Sequence, residues 1–383
     1  MIRLVHFIHG LNTGGAETLV KNYALLLDKS KYDLTVVCLT RYGSPYEKIL
    51  MDAGVRVIYI SDVLSSKEST HYISKKQIRA ERYFKTCHCL RQLKPDIVHY
   101  HLPIASYLVL AHLPRKCAVV HTVHSDPHRL WLNGRKDSTR DLRAVKLLLR
   151  RHNMYLIALH EKMYHELKEI FRTDRVLVLN NGIDLSPFRK QIDVETKRES
   201  VHIPKDAFVV THVGRFNPVK NHSFLVQVFA EIKKRRADAF LLMIGRGETE
   251  PAVRGELERM GLSSAYTILH DRTDVPELLL ASDAAVFPSV AEGLPVAAIE
   301  MQAAALPCVA SDRVPHASEI SDRIRFLSLD ESPALWADSL LSLCEIQTPI
   351  SYRNIEEWDI QTNVKQLEEI YEKVLADDRK QNG

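Results

Sequence analysis

The chain has 383 residues, 45% hydrophobic and 26% charged, which suits a globular protein of two domains and excludes a disordered chain, a collagen-like repeat or a disulfide-stapled miniprotein. Its net charge of +4 conceals an asymmetry, because residues 1–190 carry 31 Lys and Arg against 17 Asp and Glu while residues 191–383 carry 21 against 31. A half of +14 is joined to a half of −10, and no run of 18 apolar residues is present to span a membrane.

The opening MIRLVHFIHGLNTGG reads as a buried strand at Leu4–Ile8 and not as a signal peptide, since no small-residue cleavage site follows it. Ala16, Leu19, Val20, Tyr23, Leu26 and Leu27 then recur at helical spacing. The spacing predicts strands at Leu34–Leu39, Arg56–Ile60, Ile97–Tyr100, Val119–Val123, Tyr155–Ala158 and Val176–Leu179, with helices near Tyr46–Ala53, 72–93 and 138–152. Asp184–Pro204 is polar, holds two prolines and has no period, so it reads as a linker. Alternation restarts with strands at Phe208–Val213, Phe240–Ile244, Tyr266–Leu269, Ala284–Phe287 and Cys308–Ala310. Helices are expected at 221–235, 250–260 and Pro295–Ala305, and an apolar segment lies at Val275–Ala281. Ile360, Val364, Leu367, Tyr371 and Val374 predict a long amphipathic C-terminal helix. Repeated β-α-β units imply two doubly wound parallel sheets facing each other across a cleft. The expected divisions are 1–185, a linker at 186–203, 204–355, and a terminal helix and tail at 356–383.

Ligands of such sheets bind in the loops after the carboxyl ends of the strands. Only 14 residues are glycine, yet Gly10, Gly14, Gly15, Gly182, Gly214, Gly245, Gly247 and Gly293 each follow an expected strand. Gly10–Gly15 leads into a helix, where backbone amides favour an anion; the alternative is a tight turn with no ligand. Neither this loop nor Gly245-Arg246-Gly247 completes the G-x-G-x-x-G dinucleotide pattern. In Gly214-Arg215-Phe216-Asn217-Pro218-Val219-Lys220 the planar fork of Arg215 and the point charge of Lys220 suit a diphosphate, although a solvated loop would look the same. There is no D-x-D segment to hold a metal-bound diphosphate, so no metal is expected. Glu292 and Glu300 flank Gly293, Leu294 and Pro295. The helical advance from Pro295 to Glu300, roughly 7.5 Å, argues against a retaining-glycosidase pair separated by ~5 Å, so the two acids fit different parts of one long ligand. The six cysteines form no C-x-x-C pair and read as free thiols of a reducing compartment.

The segment Phe287-Pro288-Ser289-x-x-Glu292-Gly293-Leu294-Pro295-x4-Glu300, with the Gly214–Asn221 loop before it, resembles the signature of the retaining GT-B glycosyltransferases of family 4, also called group 1. Gly14-Gly15-Ala16-Glu17, Pro95–His99, Thr122-Val123-His124, Asn181–Asp184 with Phe188, and Ser282-Asp283 resemble further motifs of the family. The likeness runs from about residue 3 to 375. It implies transfer of a sugar from a nucleotide, UDP on family frequency, to an acceptor hydroxyl with retention, through an oxocarbenium-like state in which the leaving phosphate helps take the acceptor proton. Arg215 and Lys220 would hold the diphosphate, Glu300 the ribose, and Glu292 the sugar beside the amides of Gly293 and Leu294. Gly14 and Gly15 would cover the phosphates, and His124 would point at the sugar. Gly245 and Arg272, the latter in a base-binding loop at Asp271–Leu279, would complete donor binding. Arg246 stands where the family commonly has an acidic or small residue, which bears on donor choice. A nucleotide-sugar epimerase and a non-catalytic partner of another transferase are the competing readings, both disfavoured by the intact Arg215, Lys220, Glu292 and Glu300 set.

The resemblance places the acceptor in the N-terminal half, where residues 67–94 hold eight cations (Lys67, Lys75, Lys76, Arg79, Arg82, Lys85, Arg91, Lys94) against Glu68 and Glu81. Residues 129–151 hold another eight against Asp137 and Asp141, interleaved with Leu130, Trp131, Leu132 and Leu147–Leu149. Such stretches suit an anionic membrane, each cation being worth ~1 kcal/mol near the surface. The expectation is a cytoplasmic enzyme, peripheral on the inner face of the plasma membrane, that extends a lipid-linked glycan; a solvated basic face is the alternative. Nucleic acid is not expected, since no recognition module accompanies the charge.

Overall fold

The computed structural model describes residues 1–61, 75–111, 113–114 and 116–382. Lys67, Glu68 and residues 72–74 of the expected helix lie outside that description. The chain divides into two compact units, Met1–Asn181 with Gln361–Gly383, and Gly182–Ile360.

The first unit holds strands β1 (Ile2–Ile8), β2 (Tyr32–Cys38), β3 (Arg56–Tyr59), β4 (Ile97–His101), β5 (Ala118–Thr122), β6 (Met154–Ala158) and β7 (Val176–Val178). They form one parallel sheet in the order β3-β2-β1-β4-β5-β6-β7. Helices α1 (Gly15–Leu26), α2 (Pro45–Asp52), α3 (Lys75–Leu93), α4 (Ala105–Leu110), α5 (Pro127–Trp131), α6 (Lys136–Arg151) and α7 (Glu161–Phe171) connect them. β4 and β5 are buried along their whole length, as parallel strands covered on both faces are.

The second unit holds α8 (Val194–Glu199), β8 (Phe208–Val213), α9 (His222–Arg235), β9 (Ala239–Ile244), α10 (Glu250–Arg259), β10 (Tyr266–Leu269), α11 (Val275–Leu280), β11 (Ala284–Phe287), α12 (Val296–Ala303), β12 (Cys308–Ser311), β13 (Ile324–Leu327) and α13 (Pro333–Cys344). Its sheet, also parallel, runs β10-β9-β8-β11-β12-β13. In both sheets the strand order reverses beside the first strand, between β1 and β4 and between β8 and β11.

Helix α14 (Ile360–Asn382) packs on the first unit. Val364, Leu367, Tyr371 and Val374 are buried as their spacing requires. Tyr23 donates to Asn363 Oδ1 (2.7 Å) and Asn153 Nδ2 to the Val374 carbonyl (2.8 Å).

Several expectations need correction. The segment taken as a periodless linker contains α8, whose six residues are too few to display a period, capped by the Asp193 side chain. Arg198 on α8 is buried and donates to the carbonyls of Ala281, Lys205 and Ala207 and to Asp283, so this segment is an integral part of the second unit. Pro295, expected as the first helical residue, is the N-cap of α12 with ψ 97, outside helical geometry. Helices α4, α5, α7 and α13 and strand β13 carry no counterpart in the sequence reading. All six cysteines are unpaired.

Candidate functional site

In the second unit the chain leaves β8 through Gly214–Asn221. Gly214 N donates to the Ile244 carbonyl (2.9 Å) and Phe216 N to that of Arg246 (3.0 Å), which binds this loop to the one after β9. The approach is close enough that a Cβ on Gly245, whose φ is +155, would lie 2.0 Å from the Gly214 oxygen, and one on Gly247 2.0 Å from the Phe216 oxygen. The Gly245-x-Gly247 pair therefore serves backbone packing.

Lys220 ends a 3-10 turn, Pro218–Lys220, capped by the Asn217 side chain. Val290 N donates to the Val219 carbonyl (2.8 Å), joining this turn to the loop after β11. The join brings Lys220 Nζ to 2.7 Å from Glu292 Oε1, with both side chains about 15% exposed (16% and 15%). The same ammonium lies 4.5 Å from the centroid of the Phe287 ring, a favourable cation–π contact. Arg215 is exposed on the same loop as Lys220, Gly293 and Leu294 are buried beside Glu292, and Glu300 is half-buried on α12. Because the sheet is parallel, the loops after β8, β9, β10 and β11, and with them Arg215, Lys220, Gly245, Arg272, Glu292, Gly293 and Leu294, lie at one edge. The Lys220–Glu292 pair stands where the strand order reverses.

Other charges at that edge are paired. Arg246 pairs with Asp271. Arg272 Nε donates to Asp274 Oδ1 (2.7 Å) and Lys197 Nζ to Asp274 Oδ2 (2.6 Å). Burial alone would raise the Asp274 pKa, but these bonds hold it down to about 2. The structure thus places Arg272 on a carboxylate of its own loop. Sequence reasoning missed two buried histidines here. His212 Nδ1 bonds the Val286 carbonyl (2.9 Å), while His222 stacks on Phe216 (4.1 Å, 15°) and burial pushes its imidazole down to about 4.

In the first unit Gly14 is the N-cap of α1, and its carbonyl accepts from Thr18 N (2.8 Å) and Thr18 Oγ1 (2.9 Å). Glu17 of the Gly-Gly-Ala-Glu segment is buried in the first turn. His124 lies just beyond β5, half-buried, with Nε2 2.9 Å from His101 Nδ1. Behind it stand His6, His99, His101 and Tyr371, all fully buried; the sequence pointed to His99 only as the end of the Pro95–His99 segment and to Tyr371 only through its helical spacing, and to His6 and His101 not at all. The available signal was His99-x-His101, two polar residues on one face of a strand.

Helix α6 turns Ala144, Val145, Leu148 and Leu149 inward and leaves Arg140, Arg143, Lys146, Arg150 and Arg151 exposed. Asp141, counted above as an offset to this charge, is instead buried, accepting from Trp131 Nε1 (2.9 Å) and Ala105 N (3.1 Å), and burial pushes its carboxyl up to about 6. A cavity of about 440 Å³ lined by Arg79, Tyr83, Leu110, Arg140, Arg143 and Leu147 opens between α3, α4 and α6, and Leu110 in its lining is exposed. Among the described residues no helix is long and apolar enough to cross a membrane.

Residues 13–187 match the family described as Glycosyltransferase Family 4, and residues 193–357 match Glycosyl transferases group 1. A Bacillus subtilis (strain 168) chain named as a glycosyltransferase, EpsF, is 28% identical over 88% of this chain and 86% of its own length. An Escherichia coli UDP-Gal:alpha-D-GlcNAc-diphosphoundecaprenol alpha-1,3-galactosyltransferase is 28% identical over 75% of this chain and 73% of its own length. Among solved structures, Anabaena Alr3699/HepE in complex with UDP and glucose superposes with a TM-score of 0.73 at 15% identity, covering 97% of this chain and 100% of that one. The last likeness establishes the fold, two Rossmann-like domains of the GT-B kind.

Proposed function

The chain belongs to the family 4, group 1 glycosyltransferases, and from that membership we propose that it is a retaining enzyme that moves a sugar from UDP to a hydroxyl of a lipid-diphosphate-linked glycan in surface polysaccharide synthesis. The observation that carries the reading is the Lys220–Glu292 pair at the strand-order reversal. A cation and a carboxylate held together at that point can separate their partners when a donor enters, the ammonium turning to the diphosphate and the carboxylate to sugar hydroxyls. Arg215 shares the diphosphate charge without a metal ion, the amides of Gly293 and Leu294 donate to phosphate or sugar oxygens, and Glu300 accepts from the ribose. The resemblance assigns Gly14, Gly15, Gly245, Arg272 and His124 to the same donor. The anomeric carbon–phosphate oxygen bond breaks, a bond to the acceptor oxygen forms on the same face, and the acceptor proton passes to the departing UDP.

UDP is favoured by two likenesses, one to a protein solved with UDP and glucose and one to a protein named for UDP-Gal and a diphosphoundecaprenol glycan. The exposed cations of α6, with the exposed Leu110 of the neighbouring cavity, fit the anionic cytoplasmic leaflet where such an acceptor resides. The test is a thermal-shift screen of UDP-, GDP- and ADP-sugars, followed by proton NMR of the product and repetition with a chelator. A UDP-sugar should raise the melting temperature, the product should keep the donor's anomeric configuration, and the chelator should change nothing. A shift by GDP- or ADP-sugars alone, or an inverted product, overturns the reading. Sedimentation with anionic vesicles should occur and weaken with salt.

A further inference from the structure

Six side chains of the first unit form one unbroken line of hydrogen bonds. Thr122 Oγ1 lies 2.7 Å from His99 Nε2, and His99 Nδ1 2.7 Å from the Tyr371 hydroxyl. That hydroxyl lies 3.1 Å from His6 Nε2, His6 Nδ1 3.1 Å from His101 Nε2, and His101 Nδ1 2.9 Å from His124 Nε2. The residues come from β1, β4, β5, the loop after β5 and α14, so the line is a product of the tertiary fold. His6, His99 and His101 bring one nitrogen each within 4.8 Å of the others, a separation that a metal ion could use. The ring geometry opposes that. His6 and His101 have nearly parallel ring planes (12°) and spend Nδ1 and Nε2 on each other at 3.1 Å, and His99 lies over the face of His101 (4.3 Å, 30°) with both nitrogens engaged by Thr122 and Tyr371. Its lone pair has no direction toward a shared ion.

Each neutral imidazole has one N–H and one bare nitrogen, and burial keeps these imidazoles neutral, pushing His6 and His124 down to about 3 and His99 and His101 well below the ordinary value. The Tyr371 hydroxyl is fully buried with one hydrogen, which is satisfied when it donates to one of the two histidines and accepts from the other, and the whole line then points in a single direction. Thr122 decides which. It is 2% exposed, and among the described residues His99 Nε2 is the one partner within reach of its hydroxyl. If Thr122 donates, His99 donates to Tyr371, Tyr371 to His6, His6 to His101, and His101 to His124 Nε2. In the opposite direction the Thr122 hydrogen is buried without a partner, which disfavours that state roughly tenfold or more.

We propose that this line locks His124 as the Nδ1–H tautomer, a fixed hydrogen-bond donor whose second nitrogen faces the interior. On the functional reading above, on which this consequence rests, Nδ1–H donates to an oxygen of the donor sugar and His124 does not act as a base. The line also ends at an aliphatic hydroxyl, too weak an acid to release a proton at neutral pH, so it orients and does not relay. His101, His6, Tyr371, His99 and Thr122 are positioning residues.

The test uses the full chain labelled with 15N-histidine and two-bond proton–nitrogen NMR, which distinguishes protonated from bare ring nitrogens, with His124 assigned through His124→Asn. Between pH 6 and 8 the free protein should show His124 Nδ1 protonated, Nε2 bare and no titration. Thr122→Val removes the polarising hydroxyl and should bring the two tautomers toward equal populations, and Thr122→Ser should restore the single one. Tyr371→Phe, which cuts the line at its middle, should act like Thr122→Val; if it fails to fold, the threonine pair still decides. A protonated Nε2, a titrating imidazole, or a Thr122→Val spectrum unchanged from wild type overturns the proposal. UDP-glucose is added afterwards. His124 resonances that do not move then count against the placement of the sugar, while the tautomer has already been read without it.

Discussion

The carboxyl ends of the two sheets solve the same problem in opposite ways. Both carry polar side chains where the strand order reverses. In the first unit these are neutral groups bonded to one another, His6, His99, His101, Thr122 and Tyr371, shut away from water. In the second the reversal carries a pair of full charges, Lys220 with Glu292, and the loops after β9 and β10 add Arg246 with Asp271 and Arg272 and Lys197 with Asp274. A buried neutral network has one satisfied arrangement and gains by staying in it. A partly exposed ion pair has others, because water or an incoming diphosphate can take the place of either partner. The first edge is therefore built to hold a direction and the second to exchange partners.

The largest expected effect tests the second edge. Lys220→Met should lower kcat/KM for the UDP-sugar by roughly 10²–10³-fold, the loss that follows removal of one preorganised charge at a developing anion. Glu292→Gln should be comparably damaging, and the double variant should fall well short of the product of the two losses, since each single change already disrupts the other residue. Steady-state kinetics on the three variants checks this, and strictly multiplicative losses would mean that the two residues act separately. The next effect concerns stability. Arg198→Ala strips the partners from three carbonyls and from Asp283 and should destabilise the second unit by about 3 kcal/mol. Hydrogen exchange should record the loss in β8 and β11 while the amides of β4 and β5 keep their protection. Equal loss in both sheets would show that the two units unfold together.

How much of this was legible beforehand follows the same division. The strands announce themselves because parallel strands covered on both faces are mostly apolar, and the loops after β8 and β11 carry glycines, cations and acids in a pattern that resembles a known family. Which charges pair was not legible, since Lys220 and Glu292 are 72 residues apart and meet only through the Val290–Val219 backbone bond. The neutral edge was almost invisible. Its histidines are spread over β1, β4 and the loop after β5, and only the fold brings Tyr371 of α14 between His6 and His99. α8 escaped for a different reason, being shorter than the two turns that periodicity needs. Asp141 shows the commonest failure of charge counting. Its place in a basic run suggests a solvated face, yet it lies one turn from Ala144 and Val145 on the inward stripe of α6.

That aspartate gives the comparison its smallest and most directional test. Asp141 titrates near 6 in the folded chain, against 3.8 without the fold, because burial disfavours its charge. Its contribution to stability is therefore complete below about pH 3.8 and is lost as pH rises through 6. Asp274 behaves in the opposite sense. Its bonds to Arg272 and Lys197 hold it near 2, so its contribution is present above 3.8 and is lost as pH falls toward 2. Asp141→Asn should therefore remove about 2 kcal/mol of stability change between pH 4 and 6.5, and Asp274→Asn should leave that window alone and flatten the change below pH 4. Denaturant titrations of both variants across pH 2.5–6.5 separate the two. If Asp141→Asn instead steepens the decline, the bonds from Trp131 and Ala105 outweigh burial and hold the Asp141 carboxylate charged.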